Sequence, residues 1–250
     1  MLHVGTVKTG STSLQAYFAE HQQALAEAGW CYLPAIGRPD RRDLAAACIA
    51  IDDQRDELLR ALRLVEPQQR LAFRQQVKAE LEAQLKAVPD ELGVILSSEH
   101  FHLSLQRPEE IETLKQLLLE LGLEVQQVVI YLREPLALIE SLFSTMVRSG
   151  DQRPLPADPA DPFVALICDH SASLRRWRAV FGEAVVPPRA FPPRAGGSLS
   201  ADFLQLLGNA PAAGWPPEPQ RQRNRGLNPS ALNLLAWLNR HCAWLTPQAR

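Results

Sequence analysis

An α/β fold, a three-layer sandwich built on a mostly parallel central sheet, is what the sequence predicts, and three observations predict it. Short apolar runs of strand character alternate with stretches of helical periodicity along most of the 250 residues. At the start of the chain a strand-like "MLHV" (1–4) leads through a loop with two glycines into the helical pattern "STSLQAYF". The strongest strand signal, "VQQVVIYL" (125–132), runs directly into a further helix over 135–149. Strands separated by helices pair in parallel through right-handed crossovers, which cover both faces of the sheet.

Each element has a local reason. Residues 11–28 place Leu14, Tyr17, Phe18, Leu25 and Ala28 on one helical face, and Gly29 ends the helix. "WCYL" (30–33) is a short second strand. Residues 40–88 are charged and helically periodic with Pro67 as a break, which predicts a helical insertion. "GVILS" (93–97) is a buried strand, and 108–121 a helix that opens Pro-Glu-Glu. A Pro/Asp-rich loop (150–162) leads to a helix over 163–181, a short strand near "AVV" (184–186) and a helix over 199–208. Pro211, Pro216, Pro217 and Pro219 mark an irregular segment, and a last helix starts near Pro229. The whole reads as one domain, 1–250, with a C-terminal basic loop and helix over about 221–245.

Composition narrows the function classes. With 46% hydrophobic and 22% charged residues, net charge −2 and pI about 6.3, the chain has no bulk field to draw it to nucleic acid or acidic membranes. Cys31, Cys48, Cys168 and Cys242 are far apart and form no C-x-x-C pair, so reduced and mostly buried thiols are expected rather than a zinc site or disulfide framework. No leader-like segment precedes the first motif and no apolar run approaches 18 residues, so a cytoplasmic location is the expectation.

The chemistry concentrates in "HVGTVKTGSTSLQ" (3–15). Gly5 and Gly10 keep the glycine spacing of a Walker A loop, and a strand-to-helix loop aims backbone N–H groups and the positive helix end at an anion. Yet Ser11 stands where the Walker lysine belongs, and the loop's lysine is Lys8. Such a loop is poorly equipped for a triphosphate with Mg²⁺. A phosphosulfate suits it better, because its terminal sulfuryl group carries less charge and one cation with a ring of donors can serve. The bland alternative is a turn capped by Ser11 or Ser13.

These residues resemble the 5′-phosphosulfate loop of sulfotransferases that use 3′-phosphoadenosine 5′-phosphosulfate (PAPS), in particular bacterial members that open H-x-G-x-x-K-T-G-[ST]-T-S-L-Q. A second stretch, "VVIYLREPLALIESLFSTMVRSG" (128–150), is similar to the family's 3′-phosphate segment, with Ser141 eight positions after Arg133. The resemblance implies a P-loop NTPase-like fold, PAPS as co-substrate and no required metal. It implies that Gly5, Lys8, Thr9, Gly10, Ser11, Thr12 and Ser13 hold the 5′-phosphosulfate, with Lys8 also catalytic, and that Arg133 and Ser141 bind the 3′-phosphate. "GGSLSADFLQLLG" (196–208) and "RQRNRGLNPSALNLLAWLN" (221–239) resemble later family segments; Arg221, Arg223, Asn224 and Arg225 are candidates for the 3′-phosphate, although the R-K-G triplet of the eukaryotic cytosolic enzymes is missing.

Transfer to a hydroxyl needs a proton acceptor. "ILSSEHFHL" (95–103) leaves the end of the strand at 93–97 and resembles the family's S-S-E stretch, so Glu99 is the first candidate base, with His100 and His102 behind it. His3 belongs to the family pattern and reads either as a loop-orienting residue or as a core histidine. The predicted reaction is sulfuryl transfer to a hydroxyl or amine of a small-molecule, glycan or lipid acceptor. A nucleotide kinase or NTPase with a relocated lysine, and a nucleotide-binding module without catalysis, are the alternatives.

Overall fold

The first strand of the chain lies at the centre of the sheet. The computed structural model describes residues 1–53, 56–151, 161–193, 197–218 and 229–242. They form β1 (Leu2–Val4), β2 (Trp30–Tyr32), β3 (Gly93–Ser98), β4 (Val128–Arg133) and β5 (Arg189–Phe191), in the order β2-β3-β1-β4-β5. The sheet is parallel throughout. His3 stands opposite Ser97 on β3 and Val129 on β4.

The helices are α1 (Ser11–Glu20), α2 (Gln22–Glu27), α3 (Arg42–Cys48), α4 (Glu57–Ala61), α5 (Pro67–Leu85), α6 (His100–Ser104), α7 (Pro108–Glu120), α8 (Pro135–Arg148), α9 (Pro162–Cys168), α10 (His170–Phe181), α11 (Leu199–Leu204) and α12 (Pro229–His241). Two compact units divide the chain: Met1–Leu132 with His170–Glu218, and Arg133–Asp169 with Pro219–Arg250.

In the first unit the period of two along each strand sorts side chains between two cores. Leu2, Val4, Leu96, Val128 and Ile130 pack with residues of α3 to α7 and α10, including Leu44, Leu81, Phe101, Leu114 and Trp177. Ile95, Val129 and Tyr131 pack with Leu14 and Phe18 of α1, Leu25 of α2 and Phe203 of α11. Helices therefore cover both faces, the layering that alternation predicts. In the second unit, Asn239 of α12 is buried and its amide donates to the carbonyls of Val147 (2.7 Å) and Asp151 (3.3 Å), tying α12 to the end of α8.

Several boundaries differ from the sequence expectation. The helix expected over 11–28 turns at His21 (φ −122°, ψ 38°) into α2, whose Leu25 packs in the same core as Leu14 and Phe18 of α1. The expected helix 163–181 breaks at Asp169, where the chain passes from one unit to the other. The last strand lies at 189–191 rather than 184–186; there Val185 keeps a single parallel bridge to Val128 and Val186 N donates to Val128 O (3.2 Å), and Pro187 and Pro188, without N–H, do not extend the pairing. The insertion is α3, α4 and α5, and the break at Pro67 is the gap between α4 and α5, with Pro67 as the first residue of α5. The four cysteines are free, but only Cys48 is fully buried, its thiol pushed up to about 12 by desolvation. No helix among the described residues is long and apolar enough to cross a membrane.

Candidate functional site

The loop between β1 and α1 is tied down on both sides. Gly5 N donates to Ser98 O of β3 (3.0 Å), and Thr6 Oγ1 donates to Tyr131 O of β4 (2.5 Å). Thr9 Oγ1 closes the span by donating to Thr6 O (2.7 Å). Both threonines are buried, so the Thr9 hydroxyl braces the loop from within. A Cβ on Gly5 would collide with the Ser11 side chain and come within 3.2 Å of Glu99 Cα, so only glycine lets β1 turn here.

Two residues of the loop take the left-handed conformation. Gly10 (φ 78°, ψ 14°) enters the helix, and its carbonyl accepts from Ser13 N (2.9 Å) and Leu14 N (3.1 Å). Lys8 (φ 61°) does the same without glycine's freedom, an uncommon and costly state for a long side chain. The serine cap that a plain turn would use is missing: no side chain caps α1. Ser11 is 4% exposed and its hydroxyl is buried without a partner, while Thr12 and Ser13 are exposed on the same first turn. The opening amides of any helix lack intrahelical acceptors. The first turn of α1 therefore presents the amides of Ser11 and Thr12, the hydroxyls of Ser11, Thr12 and Ser13 and the positive helix end, with no acceptor for these groups among the described residues.

Beneath the loop, His3 Nδ1 shares a hydrogen bond with Ser97 Oγ (2.8 Å), and Gln15 Nε2 donates to the same oxygen (3.1 Å). The His3 ring meets Phe203 and Tyr131 edge-on at 5.5 and 6.0 Å. It is a core histidine that links β1, β3 and α1, and burial lowers its pKa to about 4. His102 is buried too, with both ring nitrogens unpartnered and a pKa lowered to about 3, first by desolvation and then by Arg176 and His170. With 1% exposure it offers an acceptor nothing to meet.

The two histidines lead to a stability prediction. Both are neutral when folded and bind protons near pH 6.5 when unfolded, so the unfolded state takes up more protons below that pH. Their contribution is complete above pH 6.5 and is lost as pH falls toward 4, with a slope approaching ~1.4 kcal/mol per pH unit for each group. Urea denaturation at pH 7, 6 and 5 should show this decline. His3→Gln, which can still bond Ser97, should flatten it; an unchanged slope counts against the assignment.

Glu99 stands where β3 ends and α6 begins, with its Cα beside Gly5. It is half-buried, and its carboxylate makes no hydrogen bond or ion pair among the described residues. His100 follows, its backbone N–H donating to Ser98 Oγ (3.1 Å) and its ring Nδ1 buried without a hydrogen-bond partner. Burial lowers its pKa, with Glu99 opposing the shift. Loop, Glu99 and His100 thus gather at the carboxyl ends of β1 and β3. There the strand order reverses about β1, the place where open parallel sheets form a crevice.

Arg133 and Ser141 belong to the second unit. Arg133 is the last residue of β4; burial lowers its pKa, and Glu140 and Glu134 oppose that. The Glu134 carboxylate is engaged in capping α8, accepting from Leu136 N (2.9 Å) and Ala137 N (2.7 Å). Ser141 is half-buried on α8 and its carbonyl accepts from Thr145 Oγ1 (3.1 Å). Arg221, Arg223, Asn224 and Arg225 lie outside the described residues.

Sequence reasoning did not single out the Thr6 brace, although Thr6 lies inside the quoted motif. Nor did it find the linkage in which Arg189 Nε and Nη2 meet the Asp202 carboxylate (2.5 and 2.7 Å) and Tyr131 O–H donates to it (2.7 Å). That linkage joins β5, α11 and β4, and no spacing rule connects residues so far apart in sequence. Comparison with protein-family models, curated proteins and solved structures finds no match to this chain.

Proposed function

We propose that the chain is a PAPS-dependent sulfotransferase. One observation carries the reading: the uncapped first turn of α1, with its left-handed Gly10 and the buried, unpartnered hydroxyl of Ser11. A donor set without an internal acceptor fits an anion, and the anion that suits a loop without the Walker lysine is a phosphosulfate. The central position of β1 in a parallel sheet supports the P-loop-like part of the reading.

In this reading Gly5, Thr9, Gly10, Ser11, Thr12 and Ser13 hold the 5′-phosphate through loop amides and first-turn hydroxyls. Arg133 and Ser141 hold the 3′-phosphate, with Arg223 and Arg225 as further basic candidates. PAPS supplies the sulfuryl group: a bond forms between acceptor oxygen and sulfur, and the bond from sulfur to the 5′-phosphate oxygen breaks with its electron pair left on that oxygen. Glu99 takes the acceptor's proton, and His100 is the nearest alternative base. Lys8 offsets the charge that grows on the leaving oxygen.

The test asks which anion the loop holds. Adenosine 3′,5′-bisphosphate should raise the melting temperature in EDTA through preferential binding to the folded state. Adenosine 5′-phosphate, which lacks the 3′ group, should raise it less, and Arg133→Ala should narrow the gap. Greater stabilisation by ATP with Mg²⁺, or a gap that survives Arg133→Ala, points to a kinase-like protein instead. Stabilisation by the bisphosphate without transfer to any of a broad set of acceptors would leave a binding module.

A further inference from the structure

Three charged residues in succession, Asp40, Arg41 and Arg42, are fixed against the carboxyl end of β3. Arg41 N donates to Ser97 O (2.9 Å), two residues before Glu99. The Arg41 side chain is buried, with Nη1 donating to Pro34 O (3.2 Å) and Gln84 Oε1 (2.8 Å) and Nη2 lying 2.9 Å from Asp43 Oδ2. Asp40 is buried as well, and both its oxygens accept from Arg42 Nε, at 3.1 and 3.2 Å. That bond fixes one edge of the Arg42 guanidinium. The other edge, Nη1 and Nη2, makes no hydrogen bond or ion pair among the described residues, and the side chain is 34% exposed.

Withdrawing the Asp40 carboxylate from water costs free energy that an exposed ion pair, with its ~0–1 kcal/mol, does not return. The same arrangement is well suited to recognition: a guanidinium held rigid at one edge offers a preorganised two-donor fork at the other. Its position adds direction, since His100 is subject to the charges of Glu99, Arg42 and Asp40, together with Asp56. If an acceptor's hydroxyl meets Glu99, the part of it that lies toward His100 also lies toward Arg42, since Arg41 is tied to Ser97, two residues before Glu99, and both charges act on His100. An anionic group on that acceptor would be repelled by Glu99 alone and held by Arg42.

We propose that Arg42 is a specificity residue that selects acceptors carrying an anionic group close to the hydroxyl to be sulfated. The proposal rests on the sulfotransferase reading above. A matched pair of probes tests it: 4-nitrophenyl β-D-glucuronide and 4-nitrophenyl β-D-glucoside, which differ at C6 as carboxylate against hydroxymethyl. With PAPS as donor, kcat/KM for the glucuronide should exceed that for the glucoside by about tenfold or more, the scale of one hydrogen bond to a charged group. Arg42→Gln should bring the ratio near one, mainly through KM, while the melting-temperature shift with adenosine 3′,5′-bisphosphate persists. Because Arg42→Gln leaves Asp40 buried and unpaired, the double variant Asp40→Asn/Arg42→Gln provides the same comparison without that charge. Equal rates on the two sugars, no transfer to either by a protein that the bisphosphate stabilises, or a preference that survives both variants, overturns the role of Arg42 alone. Failure of the bisphosphate to stabilise the wild-type protein overturns the sulfotransferase reading with it.

Discussion

Glu99→Gln is expected to lower turnover by ~10²-fold or more while leaving the binding of adenosine 3′,5′-bisphosphate intact. Glutamine keeps the size and polarity of the side chain but cannot take a proton, so the loss isolates the proton transfer. What supports the proposed role is position: β3 ends at Ser98, the next residue's Cα lies against Gly5, and no partner among the described residues claims its oxygens. The competing base is His100, which burial keeps neutral and therefore able to accept a proton near pH 7. Near-normal turnover in Glu99→Gln together with loss in His100→Ala would move the assignment to the histidine.

Lys8 should separate activity from stability. If its ammonium acts on the leaving oxygen, Lys8→Ala should reduce kcat by ~10²-fold or more and weaken nucleotide binding far less, since an interaction made mostly in the transition state appears in kcat. Lys8→Gly should lose as much activity and yet melt at the same temperature or higher. The reason is the positive φ of 61°, which costs a side-chain-bearing residue ~1 kcal/mol or more and glycine almost nothing. Unchanged turnover with only a raised KM for PAPS, or an active Lys8→Gly variant, would remove Lys8 from the chemistry.

Lys8 also marks how far the sequence could be read. The glycine spacing identifies a turn and Gly10 identifies a left-handed entry into α1, because only glycine takes that conformation freely. Nothing local predicts that Lys8 shares it. That conformation belongs to a loop whose ends are held by partners distant in sequence, Gly5 by Ser98 and Thr6 by Tyr131, with the Thr9–Thr6 bond between. The order of strands and helices was likewise legible, since apolar periodicity reflects which face a residue buries. Where helices stop was not: the apolar periodicity runs on through the turn at His21 and through the break at Asp169, where the chain passes from one unit to the other.

By itself the sequence determined the parallel α/β plan and the helical insertion, and it singled out the loop and Glu99 as candidates for handling an anion and a proton. Tertiary structure decided which of them meet. It set Glu99 beside Gly5, buried His102 and His3 in the core, committed the Thr9 hydroxyl to bracing, and turned Asp40 inward to hold Arg42 at the end of β3. Local preference acts through a residue's own dihedrals and nearest neighbours, so a sequence records it directly. Burial and partnership between residues tens of positions apart arise only once the sheet has closed, when desolvation and hydrogen bonding choose among groups that look equally reactive in the chain.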